Sequence, residues 1–297
     1  MAISLWAVTS PISSTSSASA ISPESKRLLL VHAHPDDETL TTGGTIARYA
    51  AEGAEVTVVT CTLGEEGEII PPALAGLGAW AADQLGGYRS GELAAACAAL
   101  GQVRHRYLGG IGRWRDSGMA GTPSAEHPRA FTRGTLDEQA AQLAALLDEF
   151  RPQVVVSYDA FGGYGHPDHI RAHQVTTAAT EGRADVARVF HTVASEEQTR
   201  RGLAGLRGMG DLGARVAADG ELPTVADAGI STVVDVEPYR RAKIAALTAH
   251  ATQVSVGEHH FALSNGIAQP LGDAEHYVLA RGSAEGCAAE LFGGLTP

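Results

Sequence analysis

The stretch Arg27-Leu-Leu-Leu-Val-His-Ala-His-Pro-Asp-Asp-Glu38 is the part of this chain that says most about its architecture. Its apolar half, residues 28–31, predicts a buried strand, and its polar half, residues 32–38, follows without a break. A parallel strand ends at the carboxyl edge of its sheet, where open α/β folds bind their ligands. The stretch therefore predicts a strand of an α/β sheet with a functional site at its end.

The polar half holds two imidazoles and three carboxylates within seven residues, around a proline that stiffens the turn. Carboxylates this close together repel one another unless a cation or a proton lies among them. A divalent metal ion is the simplest such cation. Imidazole and carboxylate ligands without a thiolate favour zinc or ferrous iron over a cysteine-type structural zinc site.

A second group of histidines and acidic residues follows another apolar run. Residues 154–158 predict a parallel strand, and Gly162-Gly-Tyr-Gly-His-Pro-Asp-His169 comes soon after it. If both strands belong to one sheet, both clusters open on the same edge. Three protein ligands and a water make a catalytic rather than a structural site, and we assign His34, Asp37 and His169 as those ligands. Three side chains then remain beside the ion to act on a substrate: Asp36, Tyr164 and His166.

Each cluster also has a purely structural interpretation. An aspartate before a helix accepts hydrogen bonds from free N–H groups, so residues 34–37 alone could be a turn that caps a helix. Residues 165–169 alone could be a Gly/Pro loop with a chance pair of histidines. The occurrence of both clusters after strand-like runs in one chain favours the metal site.

Such a site favours metal-assisted hydrolysis of an amide or an ester. The ion polarises a carbonyl and lowers the pKa of a bound water toward about 7, and Asp36 is the natural general base for that water. The tetrahedral oxyanion that follows needs donors, which we expect to be His166 and Tyr164. Asp168 is expected to orient or charge the imidazole of His166, which when protonated could also pass a proton to the departing amine.

The rest of the chain alternates strands and helices. Strands are predicted at 28–32, 55–61, 103–108, 154–157 and 189–193, and helices at 41–52, 81–100, 135–150 and 169–182. Thr135 and Glu138 have the spacing of a capping box at the start of the third helix. This order predicts an α/β fold with a Rossmann-like, doubly wound, mostly parallel sheet.

The pattern changes after residue 194. Residues 195–229 are polar and Gly-rich, and they are followed by a short strand at 233–236 and a helix at 239–250. The tail through residues 277–279 is expected to form a small C-terminal appendage over the active edge. We therefore expect a disordered Ser-rich tail at 1–24, a metal-binding α/β catalytic core at 25–194, and a linker with a small α+β portion of the same domain at 195–297.

Composition excludes several functions. The formal charge of −12 argues against binding to nucleic acid or an anionic membrane surface, and no stretch approaches a membrane span. The first strand–helix turn lacks G-x-G-x-x-G and carries carboxylates that would repel a pyrophosphate, which argues against NAD and FAD. Cys61, Cys97 and Cys287 lack metal-type spacing, so we expect a reduced, cytoplasmic protein whose Cys61 and Cys97 lie in the core.

The segments HAHPDDE at 32–38 and GYGHPDH at 163–169 resemble the LmbE/PIG-L family of zinc-dependent N-acetylglucosaminyl deacetylases. The resemblance covers nearly everything from residue 27 to about residue 282. Further segments, at 60–68, 84–92, 112–119, 250–253 and 275–278, resemble the branch of the family that acts in mycothiol biosynthesis. The implied reaction is hydrolysis of the N-acetyl amide of N-acetylglucosaminyl-inositol, which gives glucosaminyl-inositol and acetate.

The resemblance implies the same ligand set of His34, Asp37 and His169 for one Zn²⁺ per subunit, with Fe²⁺ possible in vivo. It also implies that Asp36 is the general base, and that Tyr164 and His166 stabilise the tetrahedral intermediate. Four further positions match residues that hold or line the sugar: Glu68, Arg89, Asp116 and Met119.

Simpler roles remain open for these four positions. Arg89 could be a surface salt-bridge partner, Asp116 could make an Asx turn, Met119 could be packing, and Glu65, Glu66 and Glu68 could be a solvated charge cluster.

The expected partner is a small amino-sugar inositol substrate, with no obligate protein partner evident. The main rival activity is cleavage of the amide of mycothiol S-conjugates. A catalytically silent, metal-dependent sugar-binding protein is a rival of another class, although such a protein has no use for a general base beside the ion.

Overall fold

The computed structural model describes residues 25–295. The prediction of a disordered tail at 1–24 lies outside this range. Between residues 25 and 295, no helix is both long enough and apolar enough to cross a bilayer.

The described residues form eleven strands and seven α-helices, with short 3₁₀ helices between them. The strands are β1 (Arg27–His32), β2 (Glu55–Thr60), β3 (Val103–Tyr107), β4 (Val154–Tyr158), β5 (Arg188–Val193), β6 (Arg215–Val216), β7 (Thr232–Asp235), β8 (Ser255–Val256), β9 (His260–Ala262), β10 (Ile267–Pro270) and β11 (Ala274–Arg281). The α-helices are α1 (Asp37–Ala51), α2 (Leu85–Leu100), α3 (Leu136–Phe150), α4 (Gly162–Gly165), α5 (Pro167–Thr180), α6 (Glu196–Arg207) and α7 (Arg240–Ala249). The 3₁₀ helices are Pro72–Leu77, Pro123–Glu126, Phe131–Arg133, Asp227–Gly229 and Glu237–Tyr239.

Seven strands form one sheet in the order β3-β2-β1-β4-β5-β11-β7. Strands β1 to β5 are parallel, and β11 is antiparallel to both of its neighbours. The direction of winding reverses between β1 and β4, so the crevice at their carboxyl ends is the switch point at which such folds bind ligands. The two polar clusters follow β1 and β4, as predicted, and the doubly wound, mostly parallel sheet is confirmed.

Helices cover both faces of this sheet. Side chains of α1, α2 and α7 pack on the face that includes Leu28 and Leu30, and side chains of α3 and α5 pack on the face that includes Leu29 and Val31. Because both faces are buried, β1 needs an unbroken apolar run. Cys61 and Cys97 lie in the core as predicted, and they are unpaired.

The C-terminal part differs from the prediction. Residues 277–279 belong to β11 in the main sheet and not to an appendage, and Tyr277 is buried with its hydroxyl donating to Thr45 Oγ1 at 2.7 Å. The appendage is instead a four-stranded sheet in the order β6-β10-β9-β8.

Helix α6 was missed in the polar segment after residue 194. Ser195 Oγ accepts the N–H of Gln198 at 3.0 Å, and the pattern Ser-Glu-Glu-Gln at 195–198 was an available capping signal. The equivalent prediction for α3 is confirmed, because Thr135 Oγ1 accepts the N–H of Glu138.

Helices α1 and α5 begin earlier than predicted, at Asp37 and Pro167 rather than at residues 41 and 169. Helix α2 begins later, at Leu85 rather than residue 81. The early starts place a predicted ligand in the first turn of each of α1 and α5.

A buried ion pair joins the middle of α1 to β11 and α7. Glu275 accepts the N–H groups of Gly44 and Thr45 at 2.9 and 2.8 Å. Lys243 donates to Glu275 at 2.6 Å and to the carbonyl oxygen of Leu40 at 3.1 Å. This pair fixes α1, whose first turn carries Asp37, against the C-terminal third of the chain.

Candidate active site

The two clusters meet at the carboxyl ends of β1 and β4. His34 Nδ1 lies 3.3 Å from Asp37 Oδ2 and 3.4 Å from His169 Nε2, and His169 Nε2 lies 3.4 Å from Asp37 Oδ2. All three side chains are buried. Metal–ligand distances of about 2.0–2.2 Å place neighbouring ligands of a tetrahedral zinc about 3.4 Å apart. The triangle therefore has the dimensions of three corners of such a site.

Hydrogen bonds outside the triangle determine which nitrogen of each histidine is free. His34 Nε2 lies 3.2 Å from Asp168 Oδ2, so that nitrogen carries a proton and Nδ1 is the nitrogen left to bind an ion. His169 Nδ1 lies 3.2 Å from the carbonyl oxygen of Gly162, which leaves the lone pair on Nε2. This arrangement, with an outer partner on each ring, is the usual one for histidines that bind a metal.

The charge of Asp37 completes the donor set. Burial would raise the pKa of Asp37, but the neighbouring His169 and His34 outweigh it and hold that pKa well below its usual range. Burial would lower the pKa of His34, but Asp116, Asp168 and Asp37 outweigh it and hold that pKa well above its usual value, so the triangle attracts positive charge. A metal ion would take the place of the proton among these two imidazoles and the ionised carboxylate. The residues fit a metal ion.

Two other sets of buried groups are also close enough to hold an ion. They are His34, His166 and His169, and His34, Asp116 and Asp168. The first set uses His166, whose Nδ1 accepts the N–H of Asp168 at 3.1 Å. In a neutral ring the proton then lies on Nε2, which leaves neither nitrogen free to bind an ion. The second set needs His34 Nε2, the nitrogen that carries the proton shared with Asp168. We therefore favour the triangle of His34, Asp37 and His169.

Asp36 precedes the predicted ligand Asp37 and has a strained backbone, with φ 117° and ψ −33°. It occupies the N-cap position of α1, yet its side chain makes no capping hydrogen bond. Its Oδ2 instead lies 3.0 Å from a guanidinium nitrogen of Arg89. The interpretation of residues 34–37 as a simple capping turn therefore fails for the Asp36 carboxylate. Burial raises the pKa of Asp36 to about 6, against the opposing effect of Arg89.

Arg89 faces inward and is almost completely buried. Its guanidinium donates to the carbonyl oxygens of Pro35 and of Gly64, the latter at 2.7 Å, as well as to Asp36. Gly64 has a positive φ of 66°, and an added Cβ there would lie 2.1 Å from the guanidinium. These contacts favour a role for Arg89 in holding Asp36 rather than the predicted contact with sugar hydroxyls, and they exclude a surface salt bridge.

His166 is buried beside the triangle, with its ring centroid 4.6 Å from that of His34 and 5.0 Å from that of His169. Burial, His34 and His169 lower its pKa to about 3, so the ring is neutral at pH 7. Because Nδ1 accepts the N–H of Asp168, the proton lies on Nε2. This state suits a hydrogen-bond donor better than an acid.

Asp168 does not contact His166 through its carboxylate. The carboxylate accepts from His34 Nε2 and, at 2.9 Å, from the N–H of Ser117. The prediction that Asp168 orients His166 is therefore wrong about the partner. Asp168 contacts the predicted ligand His34 instead.

Tyr164 lies at the rim and is about half exposed, at 52%. Its ring is 5.0 Å from that of His169 and 6.0 Å from that of His166, centroid to centroid. The short helix α4 that carries it begins at Gly162, where an added Cβ would lie 2.7 Å from the Cβ of His169. Tyr164 thus stands beside the ion site with one side open to a ligand.

The remaining substrate candidates fall into two groups. Asp116 is buried, lies 3.5 Å from His34 Nε2 through Oδ1, and accepts the N–H of Gly118 at 2.8 Å, which is the Asx turn considered above. Met119 and Glu68 are exposed. Glu68 also lines a cavity of about 450 Å³ beside the small sheet.

The acidic residues before Glu68 do not form a solvated cluster. Glu65 is buried and accepts the N–H of Asp116 at 3.0 Å, and Glu66 forms an ion pair with Arg115 at 2.9 Å.

Sequence reasoning also missed residues that support the site. Tyr158 stacks on the ring of His169 at 4.2 Å and accepts the N–H of Ala33 through its hydroxyl at 2.9 Å. The side chain of His250 reaches Glu38 at 2.8 Å. The only available signal for His250 was its place in the segment 250–253, because its contact spans 212 residues of chain.

Asp168→Asn tests the support of His34. The amide can still accept from His34 Nε2 but without a negative charge, so the ligand becomes less basic. We expect metal affinity to fall about 10- to 100-fold, measured by competition with a chelator. An unchanged affinity would contradict the assignment of Asp168 as the partner of His34.

These features define a class of protein: an α/β metalloenzyme of the hydrolytic type, with its site at the switch point of a doubly wound sheet. A family model described as PIG-L, GlcNAc-PI de-N-acetylase, matches residues 29–180. The chain belongs to this family.

Similar proteins extend the match over most of the chain. A protein of Saccharomonospora viridis is 66% identical over 268 residues, which cover 90% of this chain and 100% of that one. A protein of Actinosynnema mirum is 63% identical over 274 residues, which cover 91% and 97%. Both are named 1D-myo-inositol 2-acetamido-2-deoxy-alpha-D-glucopyranoside deacetylase.

Solved structures share the fold. A deacetylase of teicoplanin biosynthesis in complex with teicoplanin has a TM-score of 0.51 at 23% identity and covers 86% of this chain and 99% of that one. The 4-carboxy-2-hydroxymuconate hydratase GalB of Pseudomonas putida has a TM-score of 0.54 at 18% identity and covers 87% and 97%. Because a hydratase has this fold, the activity must be argued from the site.

Proposed function

We propose that this protein hydrolyses the N-acetyl amide of N-acetylglucosaminyl-inositol and releases acetate and glucosaminyl-inositol, as a step of mycothiol biosynthesis. The observation that carries the proposal is the triangle of His34, Asp37 and His169, next to the Asp36 carboxylate that Arg89 holds. The names of relatives that are 63–66% identical over most of the chain support the same substrate.

We propose zinc as the ion, one per subunit, with ferrous iron possible in vivo. Two imidazoles and one carboxylate are a known catalytic zinc set, and the same donors suit ferrous iron. When bound, the ion would polarise the amide carbonyl and acidify a water molecule.

The residues around the triangle then have separate roles in proton transfer and in stabilising charge. Asp36 accepts the proton of the attacking water, and Arg89 keeps that carboxylate in place. The neutral ring of His166 donates Nε2–H toward the oxyanion, and Tyr164 donates its hydroxyl from the open side. Asp168 holds His34 in the tautomer that leaves Nδ1 free.

For the substrate we propose contacts with Asp116, Met119 and Glu68, the first buried beside His34 and the other two exposed. We retain Arg89 among the residues that shape the sugar site, acting through Asp36. The acidic chain suits an uncharged small substrate rather than a polyanion. We propose a cytoplasmic location, which the three unpaired, buried cysteines support, and one domain that spans the residues after the tail.

Cleavage of mycothiol S-conjugates is the second candidate, since it needs the same ion and base. The two activities are separated by assaying acetate release from N-acetylglucosaminyl-inositol beside amide cleavage of a bimane conjugate of mycothiol. We expect kcat/KM to favour the acetylated inositol glycoside at least about tenfold, a difference of about 1.4 kcal/mol in transition-state binding. A preference for the conjugate would transfer the assignment to the amidase, and no turnover of either compound by the metal-loaded protein would support the silent sugar-binding protein.

A further inference from the structure

A buried pair lies directly beneath the backbone of Asp36. His250, the residue that follows α7, contacts Glu38 in the first turn of α1, with His250 Nε2 2.8 Å from Glu38 Oε1. Both side chains have no exposed surface, so neither can contact a substrate. The pair belongs to neither the metal triangle nor the donors around it.

The other oxygen of Glu38 holds the backbone of Asp36. Glu38 Oε2 accepts the N–H of Asp36 at 2.9 Å, while Thr39 Oγ1 donates to Oε1 at 2.5 Å. With φ at 117°, Asp36 is in a region that side chains other than glycine rarely adopt. Such a conformation persists only where the surroundings over-determine it. The direction of the Asp36 side chain therefore depends on the hydrogen bond to Glu38.

The charges of the pair agree with this geometry. Burial alone would lower the pKa of His250, but Glu38 outweighs it and raises that pKa. The contact of His250 with Oε1 fixes the Glu38 side chain, so that Oε2 stays turned toward the N–H of Asp36.

We propose that His250 is a positioning residue that acts through Glu38 to hold Asp36 in its strained backbone conformation, with its carboxylate aimed at the attacking water. The inference rests on the proposed function only in taking Asp36 as the base. It gives a role to the segment 250–253, which the metal site leaves unexplained. Arg89 fixes the carboxylate of Asp36, whereas the pair of His250 and Glu38 fixes its backbone.

Two amide variants of His250 that differ only in side-chain length test the proposal. His250→Gln places an amide N–H where His250 Nε2 lies, and it gives up only Nδ1, which has no partner among the described residues. His250→Asn is too short to reach Glu38. We expect His250→Asn to lower kcat about 10- to 100-fold with KM and metal content unchanged, since a misplacement of about 1 Å can cost 100-fold. His250→Gln should restore most of the loss.

Lys243→Met is the matched control. It breaks another buried pair, between Lys243 of α7 and Glu275 of β11, whose carboxylate accepts N–H groups from the middle of α1 rather than from Asp36. We expect it to lower Tm without changing kcat. Equal kcat losses in His250→Asn and His250→Gln, or no loss in either, would overturn the proposal, as would a loss in Lys243→Met of the same size.

The last step introduces His250→Asn into Asp36→Asn. If His250 acts through Asp36, the double variant is no slower than Asp36→Asn alone, whereas a full further loss would overturn the proposal. A different result would show that the proposed function itself is wrong. In that case Asp36→Asn itself would keep full activity, whatever the effect of His250→Asn.

Discussion

Asp36→Asn should lower kcat by about 100-fold or more while the bound metal stays at its wild-type level. General base catalysis contributes about 10²- to 10⁴-fold, and an amide cannot accept the proton. Asparagine tolerates a positive φ better than most residues, so the turn at residue 36 keeps its conformation. Its amide oxygen can still accept from Arg89. The loss should therefore report the missing base rather than a rearranged loop.

The measurement is the rate of acetate release together with metal content on the same preparation. Asp137→Ala is the control, because Asp137 is likewise an aspartate at the N-terminal end of a helix, α3, but is exposed. It should leave both quantities unchanged. Full activity in Asp36→Asn would remove the general base from the mechanism.

His169→Ala should lose the bound ion and, with it, the activity. It removes one of the three donors of the triangle and also the ring that stacks on Tyr158. Loss of a residue that merely orients a ligand costs about 10- to 100-fold in metal affinity, so loss of a ligand should cost more than about 100-fold. Metal analysis after gel filtration measures this directly, and acetate release should fall in parallel.

His173→Ala is the matched control for that variant. His173 lies one turn further along α5 and makes its hydrogen bond to the carbonyl oxygen of Tyr158, at 3.0 Å, outside the triangle. It should bind metal normally. If His169→Ala kept a full complement of metal while still folding, the ligand set would be wrong, and His34 with Asp116 and Asp168 would become the stronger candidate.

Much of the fold was predictable because its signals are local. An apolar run such as residues 28–31 reads as a strand buried on both faces, and Thr135 with Glu138 marks a helix start. The two clusters each follow a strand, so parallel winding alone brings them to one edge. That is why His34, Asp37 and His169 could be proposed as one ligand set from the sequence alone.

The errors arose where contacts are distant in the chain. Residues 277–279 carry no sign that β11 joins the main sheet between β5 and β7, because strand order depends on pairings across the whole molecule. Asp168 lies two residues from His166 but bonds to His34, since the first turn of α5 directs its carboxylate across the crevice. The fold also places the guanidinium of Arg89 against Asp36, a contact across 53 residues of chain that the sequence does not reveal.

The sequence alone thus predicted the types of donor side chain in the site and their location after two strands. Both depend only on residues that are neighbours in the chain. Only the folded structure shows how these side chains are oriented. It shows which nitrogen of His34 faces the triangle, which residue Asp168 contacts, and what holds Asp36 at a φ of 117°. The physical reason is that hydrogen bonds and burial act between groups close in space. His250 and Glu38 are 212 residues apart in the chain and 2.8 Å apart in the core.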